Sequence, residues 1–117
     1  MTELVKKNIA RPLALITGAT GGLGEVFCTL LAQRGFDLLM VGRNRDKLNA
    51  LSNTLEKNFK ISASPLPCDL ADATELAKLC AFLDTLAQPP HVLINNAGLG
   101  YVGEALNMPE HKTHEII

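Results

Sequence analysis

The sequence contains no tryptophan and a single tyrosine, Tyr101, and aromatic residues make up 4% of its 117 positions. An excess of either charge is also missing, since 11 Lys and Arg stand against 12 Asp and Glu for a formal charge of -1. Nucleic-acid and anionic-membrane surfaces demand a strong basic excess, so neither is expected as a partner. The longest stretch without a Lys, Arg, Asp or Glu, residues 85–103, is broken by Pro89, Pro90, Asn95, Asn96, Gly98 and Gly100, and no transmembrane helix fits there. Leu13 to Ile16, following Lys6, Lys7 and Arg11, is too short an apolar segment for a secretory leader. Cys28, Cys68 and Cys80 are odd in number and lie 40 and 12 residues apart, which supplies neither a disulfide framework nor the close pairs of a zinc site. Reduced thiols and a cytoplasmic location are expected. At this length there is room for one domain, residues 1–117, and one core.

What is present is an alternation of buried strands and amphipathic helices. Leu13 to Thr17 is an apolar run with the pattern of a strand buried on both faces, and it breaks into Gly18-Ala19-Thr20-Gly21-Gly22. From Leu23 the period becomes helical, with Val26, Phe27, Leu30, Leu31 and Arg34 at three- and four-residue steps and Gly35 as the stop. Asp37 to Val41 predicts a second strand. Asn44 is placed to cap a helix carrying Asp46 in its first turn and Leu48, Leu51 and Leu55 on one face. A third strand is expected within Ile61 to Cys68. Asp72 and Glu75 form a capping pair for a helix whose stripe is Leu76, Leu79, Cys80, Leu83 and Leu86. Val92 to Ile94 begins a fourth strand, and Met108-Pro109-Glu110 predicts a further helix that reaches only Ile116 and Ile117, as though cut. The pattern is that of an α/β, doubly wound parallel sheet, incomplete at its carboxyl end. Pro65 and Pro67 lack N–H groups on the same side of the third strand, which belongs at a sheet edge. The order 3-2-1-4 puts it there, and 2-1-3-4 does not.

The chemistry-bearing residues gather where strands end. Gly18-x-x-x-Gly22-x-Gly24 sits between a strand and a helix, where backbone N–H groups and the helix dipole hold a pyrophosphate. No Lys follows the glycines, so the turn is not an NTP-binding P-loop. At the end of the second strand the sequence is Val41-Gly42-Arg43-Asn44-Arg45, with no carboxylate to bond a ribose 2′-hydroxyl and an arginine suited to a 2′-phosphate. That pattern favours NADP over NAD. His111 and His114 with Glu110 and Glu115 have helical spacing but lie on a polar, solvated face, and no metal is expected.

Thr17-Gly18-Ala19-Thr20-Gly21-Gly22-Leu23-Gly24 resembles the T-G-x-x-x-G-x-G motif of the short-chain dehydrogenases/reductases, and Asn95-Asn96-Ala97-Gly98 resembles their N-N-A-G motif. Cys68-Asp69-Leu70 is similar to the stretch where the family's Asp approaches the adenine. Gly21 also fits the T-G-x-x-G-x-x-G of the extended epimerase branch, which uses NAD, but Asn95-Asn96-Ala97-Gly98 marks the shorter branch. The resemblance implies a Rossmann-type fold and an NADP(H)-dependent oxidoreductase acting on a small alcohol or carbonyl substrate, homo-oligomeric when complete. A non-catalytic nucleotide-binding protein on the same half-fold is the alternative. It further implies cofactor contacts from Gly18, Thr20, Gly22, Leu23 and Gly24 at the pyrophosphate turn, and from Arg43 and Asn44 at the 2′-phosphate. Asp69 and Leu70 would meet the adenine, and Asn95, Asn96, Ala97 and Gly98 would stand beside the ribose. Thr17 would tie the first strand to the fourth, and Gly100 and Gly103 would continue toward the nicotinamide. The family's catalytic Ser and Tyr-x-x-x-Lys find no counterpart, because Tyr101 is followed four residues later by Ala105.

Overall fold

Seven elements alternate along residues 11–97, the part of the chain that the computed structural model describes: β1 (Leu13–Thr17), α1 (Gly22–Gln33), β2 (Asp37–Gly42), α2 (Arg45–Phe59), β3 (Ala63–Pro67), α3 (Ala73–Asp84) and β4 (Val92–Asn95). The predicted helix from Met108, with Ile116 and Ile117, lies outside these residues, as do Gly98, Gly100, Tyr101, Gly103, His111 and His114. The strands form one parallel sheet in the order β3-β2-β1-β4, as the prolines require.

Because successive strand residues face opposite sides, the apolar runs of β1 and β2 feed two cores. Ala14, Ile16, Leu38 and Met40 pack with Cys28 and Ala32 of α1 and Leu48 and Leu55 of α2. On the other side Leu15, Leu39 and Val41 pack with Leu79 and Leu83 of α3 and with Leu86 beyond it. Helices thus cover both faces, the Rossmann-like arrangement.

The structure changes the expected face of α1 in part, although Leu31 of the expected stripe packs against the first core. Val26 and Leu30 are 51% and 41% exposed, while Gly24, Cys28 and Ala32, at four-residue steps, are buried. The cause lies at Gly24, where a Cβ would stand 1.9 Å from the Gly18 carbonyl oxygen. A helix held that close to the turn has room only for small side chains where it meets the sheet most closely. On α3 the expected stripe is only partly used: Leu79 and Leu83 pack inward, Leu76 is 40% exposed, Cys80 is exposed, and no residue of the helix is fully buried.

Helix starts follow the sequence more closely. Asn44 caps α2, its Oδ1 accepting from the Lys47 N–H at 3.0 Å, and Asp72 caps α3 through the N–H groups of Thr74 and Glu75. Glu75 does not complete the reciprocal half of the capping pair. The Asp72 N–H already donates to the Asp69 carbonyl, and the Glu75 carboxylate instead accepts from the Asp69 N–H at 3.4 Å.

On β3, Ser62 and Cys68 turn their backbone groups toward β2, so Ala63, Pro65 and Pro67 between them face outward. The Ala63 N–H donates to Glu56 of α2 at 3.0 Å and its carbonyl accepts from the Ser52 hydroxyl. The two prolines have no N–H to offer. This outer edge therefore exposes no free backbone donor.

Candidate functional site

All four strands run the same way, and their carboxyl ends deliver four short segments to one end of the sheet. Gly18 to Gly21 follow β1, Arg43 and Asn44 follow β2, Cys68 to Ala71 follow β3, and Asn96 and Ala97 follow β4. Together they line an open cleft of about 1110 Å³. Gly18, Thr20, Arg43, Asn44, Asp69, Leu70, Asn96 and Ala97 all lie on its wall. It is the crevice at which open α/β sheets take ligands, where the crossovers from β1 and β3 leave in opposite directions.

Gly18 is required here twice over. Its φ of +63° lies in the left-handed region, and a Cβ would stand 2.9 Å from the Asn96 carbonyl oxygen and 3.1 Å from Ala97. The turn is thus pressed against the loop after β4. Thr17 binds the same loop: its hydroxyl accepts from the Asn96 and Ala97 N–H groups, each at 3.0 Å, and donates to Asn95 Oδ1 at 3.1 Å. Thr17 and Asn95 are structural partners behind the cleft rather than parts of its wall. Asn96 Nδ2 adds a bond to the Gly18 carbonyl at 3.3 Å.

Gly22, Leu23 and Gly24 open α1 and stand off the cleft wall, with only their backbone N–H groups at the helix end beside it. Gly24 serves the close packing described above. Nothing in the chain lies within 4 Å of a Cβ placed on Gly22, so the turn itself has room for a methyl group there. Gly21 lines the cleft in its stead. Gly21 is the N-cap of α1 and no side chain caps that helix, whereas Asn44 and Asp72 cap the other two. The first-turn N–H groups of α1 remain for an anion, at the positive end of the helix dipole.

Arg43, Arg45 and Lys47 all line the cleft near the end of β2. The residue pattern singled out Arg43 but not Lys47, and the signal for Lys47 was its place three residues after the Asn44 cap, on the first turn of α2. Asp69 is held in a tight turn, its Oδ1 accepting from the Ala71 N–H at 3.0 Å. Cys68 lies beneath it, buried. Burial, and after it the Glu75, Asp69 and Asp72 carboxylates, pushes its thiol pKa up. Cys28 in the first core is pushed up to about 12 by burial and then by Glu25. Both thiols therefore stay protonated near neutral pH and supply no nucleophile. Among the described residues no cluster of His, Cys, Asp and Glu is built to hold a metal, and no helix is long and apolar enough to cross a membrane.

Residues 12–117 match the family of short chain dehydrogenases. The chain belongs to that family. Among relatives of this short-chain dehydrogenase are the very-long-chain 3-oxoacyl-CoA reductases of Candida glabrata, 39% identical over 87 residues, and Danio rerio, 32% identical over 99 residues. Those matches cover 73% and 85% of the chain but only 24% and 31% of the relatives. Among solved structures, a short-chain dehydrogenase from Sphingobium yanoikuyae in complex with NADPH superposes with a TM-score of 0.74 at 31% identity. The match covers 90% of this chain and 41% of that one. A bulky-bulky ketone specific alcohol dehydrogenase from Comamonas testosteroni gives 0.73 at 30% identity, over 90% and 42%.

Proposed function

We propose that the cleft binds NADP(H), and that this chain is the cofactor-binding part of an oxidoreductase that transfers hydride between the nicotinamide and an alcohol or carbonyl carbon. The observation that carries the cofactor choice is the end of β2. Arg43 lines the cleft there, the adjoining residues are Gly42 and Asn44, and Asp37 lies at the opposite end of the strand. A guanidinium in that place pairs with a 2′-phosphate, whereas a 2′-hydroxyl asks for a carboxylate. The NADPH complex of the Sphingobium yanoikuyae relative supports the same choice.

The fit to a dinucleotide rests on the chain's own groups. Gly18 keeps the turn flush with the loop after β4, and the uncapped first turn of α1 presents N–H groups to the pyrophosphate. Arg43 pairs with the adenosine phosphate, and the Nδ2 of Asn44, left over from its capping role, helps to orient it. Asp69 and Leu70 border the adenine end, and Asn96 and Ala97 the ribose on the nicotinamide side. When bound, the reduced cofactor supplies the hydride. The printed names of the relatives make a 3-oxoacyl thioester the first carbonyl class to assay. The free thiols of Cys28, Cys68 and Cys80 support a cytoplasmic setting.

Titration of the chain and of Arg43→Ala with NADPH and NADH tests the assignment. A charge-assisted bond to phosphate contributes roughly 1.5 to 3 kcal/mol, about 10- to 150-fold in affinity, and the loss should fall on NADPH alone. Equal weakening of both cofactors would remove Arg43 from the 2′-phosphate.

A further inference from the structure

The two edges of the sheet are not alike. On β3 the outward positions are closed by Pro65, by Pro67 and by the bonds that Glu56 and Ser52 make to Ala63. The other edge is β4. The Asp37 N–H bonds the Pro12 carbonyl, so the backbone groups of Ala14 and Ile16 turn to β2 and those of Leu15 and Thr17 turn to β4. Leu15 stands opposite Leu93 and Thr17 opposite Asn95. In a parallel pair that phase leaves Val92 and Ile94 to bond β1 and turns the N–H and carbonyl groups of Leu93 and Asn95 outward. The Ile94 carbonyl lies 3.5 Å from the Thr17 hydroxyl, on the β1 side as this phase requires. The Leu93 side chain is as open as its backbone. It shares a face with Leu15, yet it is 60% exposed, because α3 seats Leu79 and Leu83 against Leu15, Leu39 and Val41 and leaves β4 uncovered.

Edge strands are commonly guarded by charged side chains or by proline within the strand. Neither interrupts Val92–Asn95, and residues 85–103 contain no Lys, Arg, Asp or Glu. A neutral strand can meet a second copy of itself without bringing like charges together, whereas a charged partner would find no counter-charge along it. We propose that a second copy of this chain adds to the β4 edge, antiparallel, about a two-fold axis at Ile94. Leu93 of each copy then exchanges its backbone N–H and carbonyl bonds with Asn95 of the other. The two Leu93 side chains come within reach of each other diagonally across the axis on one face, and the two Ile94 residues stand opposite on the other face. Because β3 is closed at each far end, the joined sheet cannot grow and association stops at two copies. Strand direction reverses at the junction, so the two clefts open at opposite ends of the joined sheet. The inference does not depend on what the clefts bind.

The test is sedimentation velocity of the full chain over a concentration series, for wild type and Leu93→Lys, with amide hydrogen exchange followed by NMR on the same samples. Because the Leu93 side chain is largely exposed, Leu93→Lys keeps the fold, and circular dichroism verifies it. Wild type should move from one chain mass toward two as concentration rises, and the Leu93 and Asn95 amides should slow in exchange in step with that shift. Leu93→Lys sets two ammonium groups against each other across the axis and should stay monomeric over the same range. Wild type that is monomeric at every concentration, a dimer that persists in Leu93→Lys, or growth beyond two copies overturns the proposal. So does protection of the Leu93 amide that is unchanged on dilution, which assigns the edge to residues of the same chain.

Discussion

Gly22 and Gly24 stand two apart in one motif and do different jobs, and their alanine variants separate those jobs. At Gly24 a methyl group meets the Gly18 carbonyl oxygen, so either α1 or the phosphate turn must move. Overpacking of that kind costs about 1–3 kcal/mol, which in a domain of this size lowers Tm by roughly 4–8 °C per kcal/mol. At Gly22 the added methyl group meets nothing, and Ala in a helix is favoured over Gly by roughly 0.5–1 kcal/mol. Thermal unfolding should therefore show Gly24→Ala clearly destabilised and Gly22→Ala no less stable than wild type. Matching Tm losses would mean that α1 does not sit against the turn as described. Of the motif residues, Gly18 was legible in the sequence as part of a glycine turn between a buried strand and a helix, and Thr17 as the tie between β1 and β4 only through the family resemblance. The division of labour between Gly22 and Gly24 was not, since it depends on how near α1 lies to Gly18.

At the scale of elements, the edge strand is the clearest case of sequence dictating place. Pro65 and Pro67 predicted an edge, and β3 lies there. The sequence did not reveal that Glu56 and Ser52, one turn apart on α2, occupy the remaining outward N–H and carbonyl of Ala63. Exposed strand edges with free donors recruit other strands. The double variant Pro65→Val with Pro67→Val restores two outward N–H groups, and it should associate in a concentration-dependent way by sedimentation velocity. A variant that behaves as wild type would show that the missing donors are not what guards this edge. The inner face of α1 was misread in part, Leu31 excepted, for an opposite reason. Periodicity counts large side chains, and Leu23, Val26 and Leu30 are large, but a helix this close to a sheet buries Gly24, Cys28 and Ala32 instead. A hydrophobic stripe tells which way a helix faces only when the helix stands far enough off to need bulk.

For the whole molecule, the described residues supply the cleft proposed for NADP(H), and the reaction proposed for it asks for more than a cleft. A carbonyl reduction needs a proton as well as a hydride, and general acid catalysis contributes about 10²- to 10⁴-fold. The tyrosine and lysine that the family uses have no counterpart in the sequence, so purified 1–117 should bind NADPH yet leave its absorbance unchanged with a panel of 3-oxoacyl thioesters and ketones. Turnover would place a proton donor among residues such as Tyr101, His111 and His114. The surface itself is assembled from distant parts of the chain. The Thr17 hydroxyl receives N–H groups 79 and 80 positions further on, and Gly18 is pressed against the same loop. The order of biosynthesis follows from this. A ribosome that has released the first eighty residues has made the phosphate turn, Arg43 and Asp69, but not the wall against which Gly18 closes. Until β4 emerges and docks, the nascent chain holds half a pocket, and the proposed cofactor can stabilise the fold only from that point on.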